Sequence, residues 1–355
     1  MQPHSTRLRT TYALALGFAF ALGACTDNND QGVSPNNRFA VTKLVADVPN
    51  VGAANVQANV INPWGVAFGP TGILWVANNG TGTATTYDQN GVPQTTIVNV
   101  PSASSPNGSP TGIVFNGTTD FKLNGNPAAF LFAGEDGTIA AWNGGPNASV
   151  VVNHSAQNAV YKGIAIASNN GANQLYATDF HNGRVDVYDA NFNPLTSFTD
   201  ATIPGGFAPF GIANINGQLF VTYAKQLGPA NVDDEAGNGN GFVDIFNPDG
   251  SFVKRFASGG LLNSPWAVVL APSTLDPFQG DILVGNFGDG LVGAFDPNTG
   301  AFVDFIRDHE ANPLTIEGLW GMAFGSGNNT NTLFFASGPG NETHGLIGTL
   351  TRINP

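Results

Sequence analysis

The 355-residue chain carries 25 acidic against 12 basic side chains, a formal net charge of −13, and this balance argues against nucleic acid or an anionic membrane surface as its main partner, since both need clustered cations. A single cysteine excludes an internal disulfide framework, so stability must come from burial, for which the chain is long enough. The 46 glycines and 23 prolines fall mostly at the ends of short apolar runs, as tight turns require, and no long helical pattern appears.

Residues 1–24 open with Arg7 and Arg9 and continue in an uncharged run from Thr11 to Ala24 (TYALALGFAFALGA). A positive end, an apolar stretch too short to span a bilayer and small residues before the cut describe a secretory leader. Leu22-Gly23-Ala24-Cys25 resembles the bacterial lipobox. That resemblance implies cleavage before Cys25 and lipidation of its thiol, and Thr26 in the next position implies outer-membrane over inner-membrane sorting. The expectation is an exported lipoprotein of a bacterial envelope, held to the membrane through Cys25. Residues 25–38 are polar and read as a flexible tether. Residues 39–355 read as one domain.

Phe39–Ala46 (FAVTKLVA) is the first strand-like run, and six repeats follow it. Each repeat opens on a step into a small residue: Trp64-Gly65, Thr111-Gly112, Lys162-Gly163, Phe210-Gly211, Trp266-Ala267 and Trp320-Gly321. The second residues of these pairs are spaced by 47, 51, 48, 56 and 54, a period that marks a propeller array. The third repeat shows the unit: Gly163 to Ala167, Gln174 to Thr178 and Arg184 to Tyr188 are β-rich runs joined by Asn/Gly loops. A fourth run follows in most repeats, as in Thr96 to Val100 or Phe252 to Phe256. The last repeat has only three runs of its own, so Phe39–Ala46 is expected to complete it. The predicted fold is all-β: a six-bladed β-propeller of four-stranded blades, with the N-terminal strand closing the last.

Strands alternate in direction within a blade, so the loop from second to third strand opens on the same face as the connection between blades. The loops bring Glu135, Asp179, His181, Asp233, Asp234, Glu235 and His344 to that face. The connections bring Trp64, Phe210, Trp266, Glu317 and Trp320, and Tyr223 closes a second strand beside them. Clustered carboxylates with aromatics suit a cation or a polar small molecule. The tryptophans serve there either as wedges between blades or as walls for a ligand. Asp179-Phe180-His181 is the cluster with the most catalytic character, and Glu135 and His344 are the other candidates for acid/base work. In the fourth repeat the insertion Lys225 to Gly241 offers Asp233, Asp234 and Glu235 as oxygen ligands for Ca2+ or another divalent cation. Its spacing is not that of an EF-hand, because Ala236 stands where the turn glycine belongs.

Over the whole of residues 39–355, the run GIAIASNNGANQLYATDFHNGRVDVYDANFN and its counterparts are similar to NHL-repeat propellers. More narrowly, Asn62-Pro63-Trp64-Gly65, Val160-Tyr161-Lys162-Gly163, Ala208-Pro209-Phe210-Gly211, Asp233-Asp234-Glu235-Ala236-Gly237 with Gly241-Phe242-Val243-Asp244, and Glu342-Thr343-His344-Gly345 resemble the signature stretches of a bacterial propeller family noted alongside PEP-CTERM sorting systems. The resemblance implies the fold and no activity. Gluconolactonase-type propellers hold a divalent ion with acids placed in part before the glycine of a first strand, and none of the six opening residues here is an acid. No G-x-S-x-G, H-E-x-x-H or C-x-x-C motif occurs. The reading is therefore a monomeric binding or interaction module for a small molecule or an envelope protein. The alternative is a metal-assisted lyase or hydrolase, with His181 or His344 as ligand or base and Asp179, Glu135 or Glu342 as its partner.

Overall fold

In the computed structural model, which describes residues 34 and 36–353, Tyr161–Asn169, Ala172–Asp179 and Arg184–Tyr188 form one antiparallel sheet. Its first hairpin turns on Asn170-Gly171, with φ of 51° and 87°. A two-residue turn whose twist matches the strands needs both central residues left-handed, and Asn-Gly meets that need at least cost. Asn216-Gly217 repeats the device in the next sheet, at 53° and 83°.

The unit recurs around an axis. Blade 1 is Pro63–Phe68, Leu74–Asn78, Thr83–Tyr87 and Pro93–Asn99. Blade 2 is Pro110–Phe115, Phe130–Gly134, Thr138–Trp142 and Ser149–Asn153. The sheet described above is blade 3. Blade 4 is Phe207–Ile215, Gln218–Lys225, Gly241–Phe246 and Phe252–Ser258, and blade 5 is Pro265–Leu270, Ile282–Asn286, Val292–Phe295 and Phe302–Phe305. Blade 6 takes Leu319–Phe324, Leu333–Ser337 and Leu346–Arg352, and its outermost strand is Phe39–Ala46. That last pairing runs antiparallel from Phe39↔Arg352 to Ala46↔Leu346. The fold is a six-bladed β-propeller closed by its N-terminal strand, as the count of repeats demands. Asn55–Val56 then pairs in parallel with the outer side of the closing strand and covers part of its edge.

Blade 3 departs from four full strands. Its outer position holds only the bridges Val185↔Phe198 and Tyr188↔Pro194. Proline has no N–H to give to a ladder, and Pro194 interrupts the run where the fourth strand would lie.

The six opening steps have a steric cause. The innermost strands converge on the axis, and at most of their second residues there is no room for a side chain. A Cβ on Gly65 would lie 2.6 Å from the Thr111 carbonyl of the next blade, and one on Gly112 would lie 2.9 Å from Ile164 N. On Gly211 it would run into the Trp266 carbonyl, and on Gly321 into that of Trp64. Ala267 is the exception, and its counterpart in sequence is Gly285, the residue paired with it on the second strand. Where the first strand carries glycine, as at Gly163 and Gly211, the second strand carries Thr178 or Thr222, whose Oγ1 lies 3.1 Å from the space of the missing Cβ. Blade 5 has exchanged the two sizes. Between blades the apolar faces interlock, as in the cluster of Trp75, Phe130, Phe132, Val98 and Ala140 that joins blades 1 and 2.

Candidate functional site at the mouth of the channel

The residue before each axial small residue points into the ring at one end. Trp64, Phe210, Trp266 and Trp320 pack against one another there, almost fully shielded from solvent. Trp320 is 1% exposed, with its ring 3.5 Å from that of Trp64 and at 16° to it, while Phe287 stacks on it at 3.9 Å. Trp266 meets both tryptophans edge-on, at 6.2 and 5.8 Å. Phe210 completes the layer at 5.8 Å from Trp320. This aromatic layer sits at one end of a channel of about 150 Å3 lined by the backbones of Gly65, Gly112, Gly163, Gly211 and Gly321.

Lys162 holds the same position in blade 3, where most other blades have an aromatic. Its ammonium lies 5.0 Å over the Trp64 ring, a cation–π contact. It is 2% exposed and bonds Glu135 Oε1 at 2.6 Å, with Asp233 Oδ1 at 3.5 Å. Burial pulls its pKa down, but Glu135, with the charges of Asp233 and Asp234, holds it above its ordinary value. Further acids come from other blades. Asn79 gives its amide to Glu135 Oε2 at 2.9 Å. Asn62 gives its amide to Glu342 at 2.6 Å, and its oxygen accepts Trp320 Nε1–H at 3.1 Å. Burial raises the pKa of Glu342 against the Asn62 bond, and the nearby Glu135 and Asp233 charges add to the rise. Burial likewise raises Asp234, whose Oδ2 has no hydrogen-bond partner among the described residues. Glu342 and Asn62 keep φ of 64° and 45°, a left-handed backbone that costs a non-glycine residue on the order of 1 kcal/mol.

One ammonium thus serves Glu135, Asp233, Asp234 and Glu342, drawn from blades 2, 4 and 6. The arrangement carries a surplus of acid over base. It can attract a cation, accept hydrogen bonds, and present carboxyls that stay protonated beyond their usual range.

The other sequence-predicted residues divide around this centre. Asp179 is fully buried and spends its oxygens on its own loop and on the connection entering blade 3, accepting Val160 N, Asn182 N and the Asn182 amide at 3.1, 3.2 and 2.7 Å. His181 instead turns Nδ1 to the Ala230 carbonyl at 3.0 Å, so the pair does not act as one cluster. Tyr223 is fully buried in blade 4, and burial followed by the charges of Asp244 and Asp200 pushes its phenol above the ordinary range. Asp233, Asp234 and Glu235 diverge: Asp233 faces Lys162, Asp234 is half-buried, and Glu235 pairs with Lys225 at 2.8 Å. Among the described residues no three His, Cys, Asp or Glu side chains converge as a metal site would need. Glu317 and His344 line a separate groove. Cys25 lies outside the described residues. Lys162 is what the choice of site residues left out, and Glu342 entered it only as a partner carboxylate of the alternative reading. Lysine at an opening position is a charge where the pattern asks for an apolar residue, and that break was the available signal.

No family model matches the chain. Among solved structures, the GH93 alpha-L-arabinofuranosidase of Fusarium graminearum with arabinobiose superposes with a TM-score of 0.57 at 12% identity, covering 89% of this chain and 98% of that one. A streptogramin B lyase structure gives 0.53 at 14% identity, covering 89% and 97%. At these identities the likeness is one of fold. In sequence, the chain is 35% identical over 332 residues to "Uncharacterized protein R648" of Acanthamoeba polyphaga mimivirus, an alignment covering 88% of this chain and 80% of its relative. Identity at that level along nearly the whole of both chains is shared descent, and the chain belongs to the same protein family as the mimivirus protein R648.

Proposed function

We propose that the chain is a binding module whose channel mouth takes a small polar organic cation. The observation that supports this is the imbalance at the mouth, where four acidic side chains surround the single, nearly buried Lys162 above an aromatic floor. Low-dielectric walls focus that field outward. Spermidine is the probe. Titration calorimetry is expected to show saturable binding that tightens as the pH rises above the ordinary carboxylate range, because Glu342 and Asp234, raised by burial, give up their protons late and attract a cation only once ionised. Glu342→Gln should weaken binding at pH 8 roughly tenfold and flatten the pH dependence. Absent binding, or an unchanged pH profile in the variant, overturns the reading.

A second reading, a hydrolase or lyase working at the same mouth, rests on the raised Glu342 carboxyl as proton donor beside other acids. Turnover of chromogenic glycosides or esters, lost in Glu342→Gln, would favour it. In either case the proposed setting is a bacterial envelope, with the domain tethered through a lipid on Cys25. Cys25→Ala is then expected to move the protein from the membrane to the soluble fraction of the expressing cells. Retention in the membrane fraction would remove the tether from the proposal.

A further inference from the structure

A groove of about 460 Å3, separate from the channel, runs beside blade 6 where the connection from blade 5 passes. This volume is in the range of small-molecule sites. Its walls are largely apolar, with Phe335, Ile316 and Leu346 among them, and its polar groups are few. Asp47, whose side chain is 8% exposed, receives Gly345 N at 3.0 Å on one oxygen and meets His344 Nδ1 at 2.8 Å on the other. A carboxylate can only accept, so Nδ1 carries hydrogen, and whenever the ring is neutral Nε2 is left as an acceptor. Glu317 takes Gly340 N on Oε1 at 2.9 Å, and its Oε2 has no hydrogen-bond partner among the described residues. Ser337 is fully buried, lines the groove, and its Oγ is unpartnered among the described residues. The one cation in the lining, Lys43, lies at the exposed rim, where it gives one of its hydrogens to the Val51 carbonyl at 3.1 Å.

Inside that rim the open polar groups are mostly acceptors, with one carboxylate oxygen among apolar walls. A ligand that satisfies it must donate hydrogen bonds, bear positive charge and carry an apolar body. We propose that this groove is a second binding site, which takes a small hydrophobic amine with its ammonium between Glu317 and His344 Nε2 and its body against Phe335. The buried Ser337 hydroxyl offers a further acceptor at the inner wall. This site stands independently of the channel mouth, sharing no residue with it.

The test compares 4-phenylbutylamine, 4-phenylbutanol and 4-phenylbutyrate by titration calorimetry on the full chain. The amine is expected to bind saturably and roughly tenfold more tightly than the alcohol, with the acid weakest, since a hydrogen bond to a charged partner exceeds a neutral one by about that factor. Glu317→Gln, at an exposed position, should erase the margin of amine over alcohol, and Ser337→Ala should weaken the amine roughly threefold. Thermal melts of both variants report folding separately. Saturating spermidine should leave amine binding unchanged. Equal affinity for all three compounds, an undiminished margin in Glu317→Gln, or displacement by spermidine would each overturn the proposal.

Discussion

Glu135→Ala is expected to lower the stability of the fold by about 3 kcal/mol, the cost of leaving an ammonium buried without its partner. Lys162 is 2% exposed and its strong bond is the one to Glu135; Asp233 is farther, at 3.5 Å, and its side chain is 68% exposed. A mobile, hydrated carboxylate is a poor substitute. The figure sits at the low end for such pairs because Glu135 itself is 30% exposed, so water reaches one side. The control is Lys162→Met, which removes the charge and keeps the stem against Trp64. The double variant Glu135→Ala/Lys162→Met should recover most of the loss. Urea denaturation of the three variants measures this as a coupling energy. A single-variant loss under about 1 kcal/mol, or a double variant no better than Glu135→Ala, would show that the pair is not what holds the mouth.

Gly211→Ala is expected to cost about 3 kcal/mol or more, through overpacking against backbone, which cannot swing away as a side chain would. The added methyl would enter the space of the Trp266 carbonyl, with Thr222 Oγ1 closing the other side at 3.1 Å. Relief requires moving the inner strand of blade 5 outward, and Trp266 belongs to the aromatic layer over the channel. The damage should therefore also appear as a changed tryptophan fluorescence spectrum in the native baseline. The same exchange at a loop glycine with open space but positive φ, such as Gly183 (φ 69°), costs only backbone strain of about 1 kcal/mol. If Gly211→Ala melts within a degree or two of the parent, the axial packing account is wrong.

These two residues also show how much of the molecule can be read without coordinates. Gly211 stands in a repeated step, and repetition carries information: the spacing of Gly65, Gly112, Gly163, Gly211, Ala267 and Gly321 showed the number of blades. Asn170-Gly171 and Asn216-Gly217 announced their turns through local backbone preference, and Phe39–Ala46 was placed in blade 6 by counting strands. What stayed hidden depends on neighbours distant in sequence. Nothing near Ala267 says that Gly285 makes room for it. Asp179 and His181 are two residues apart, but the strand ends at Asp179 and the turn that follows carries His181 to a different partner. The mouth was legible as a set of acidic loops, whereas its centre was not, because the burial of Lys162 is decided by Glu135 and Trp64, 27 and 98 positions away.

The strand that completes blade 6 comes from the opposite end of the chain from the three it joins. During synthesis, Phe39–Ala46 emerges first and must wait for some 300 residues before Leu346–Arg352 exists to receive it. Five blades can form in order as they are made, each on the one before. The ring as a whole cannot lock until Leu346–Arg352 has been made, so its unfolding should be one cooperative event rather than a peeling of blades from either end.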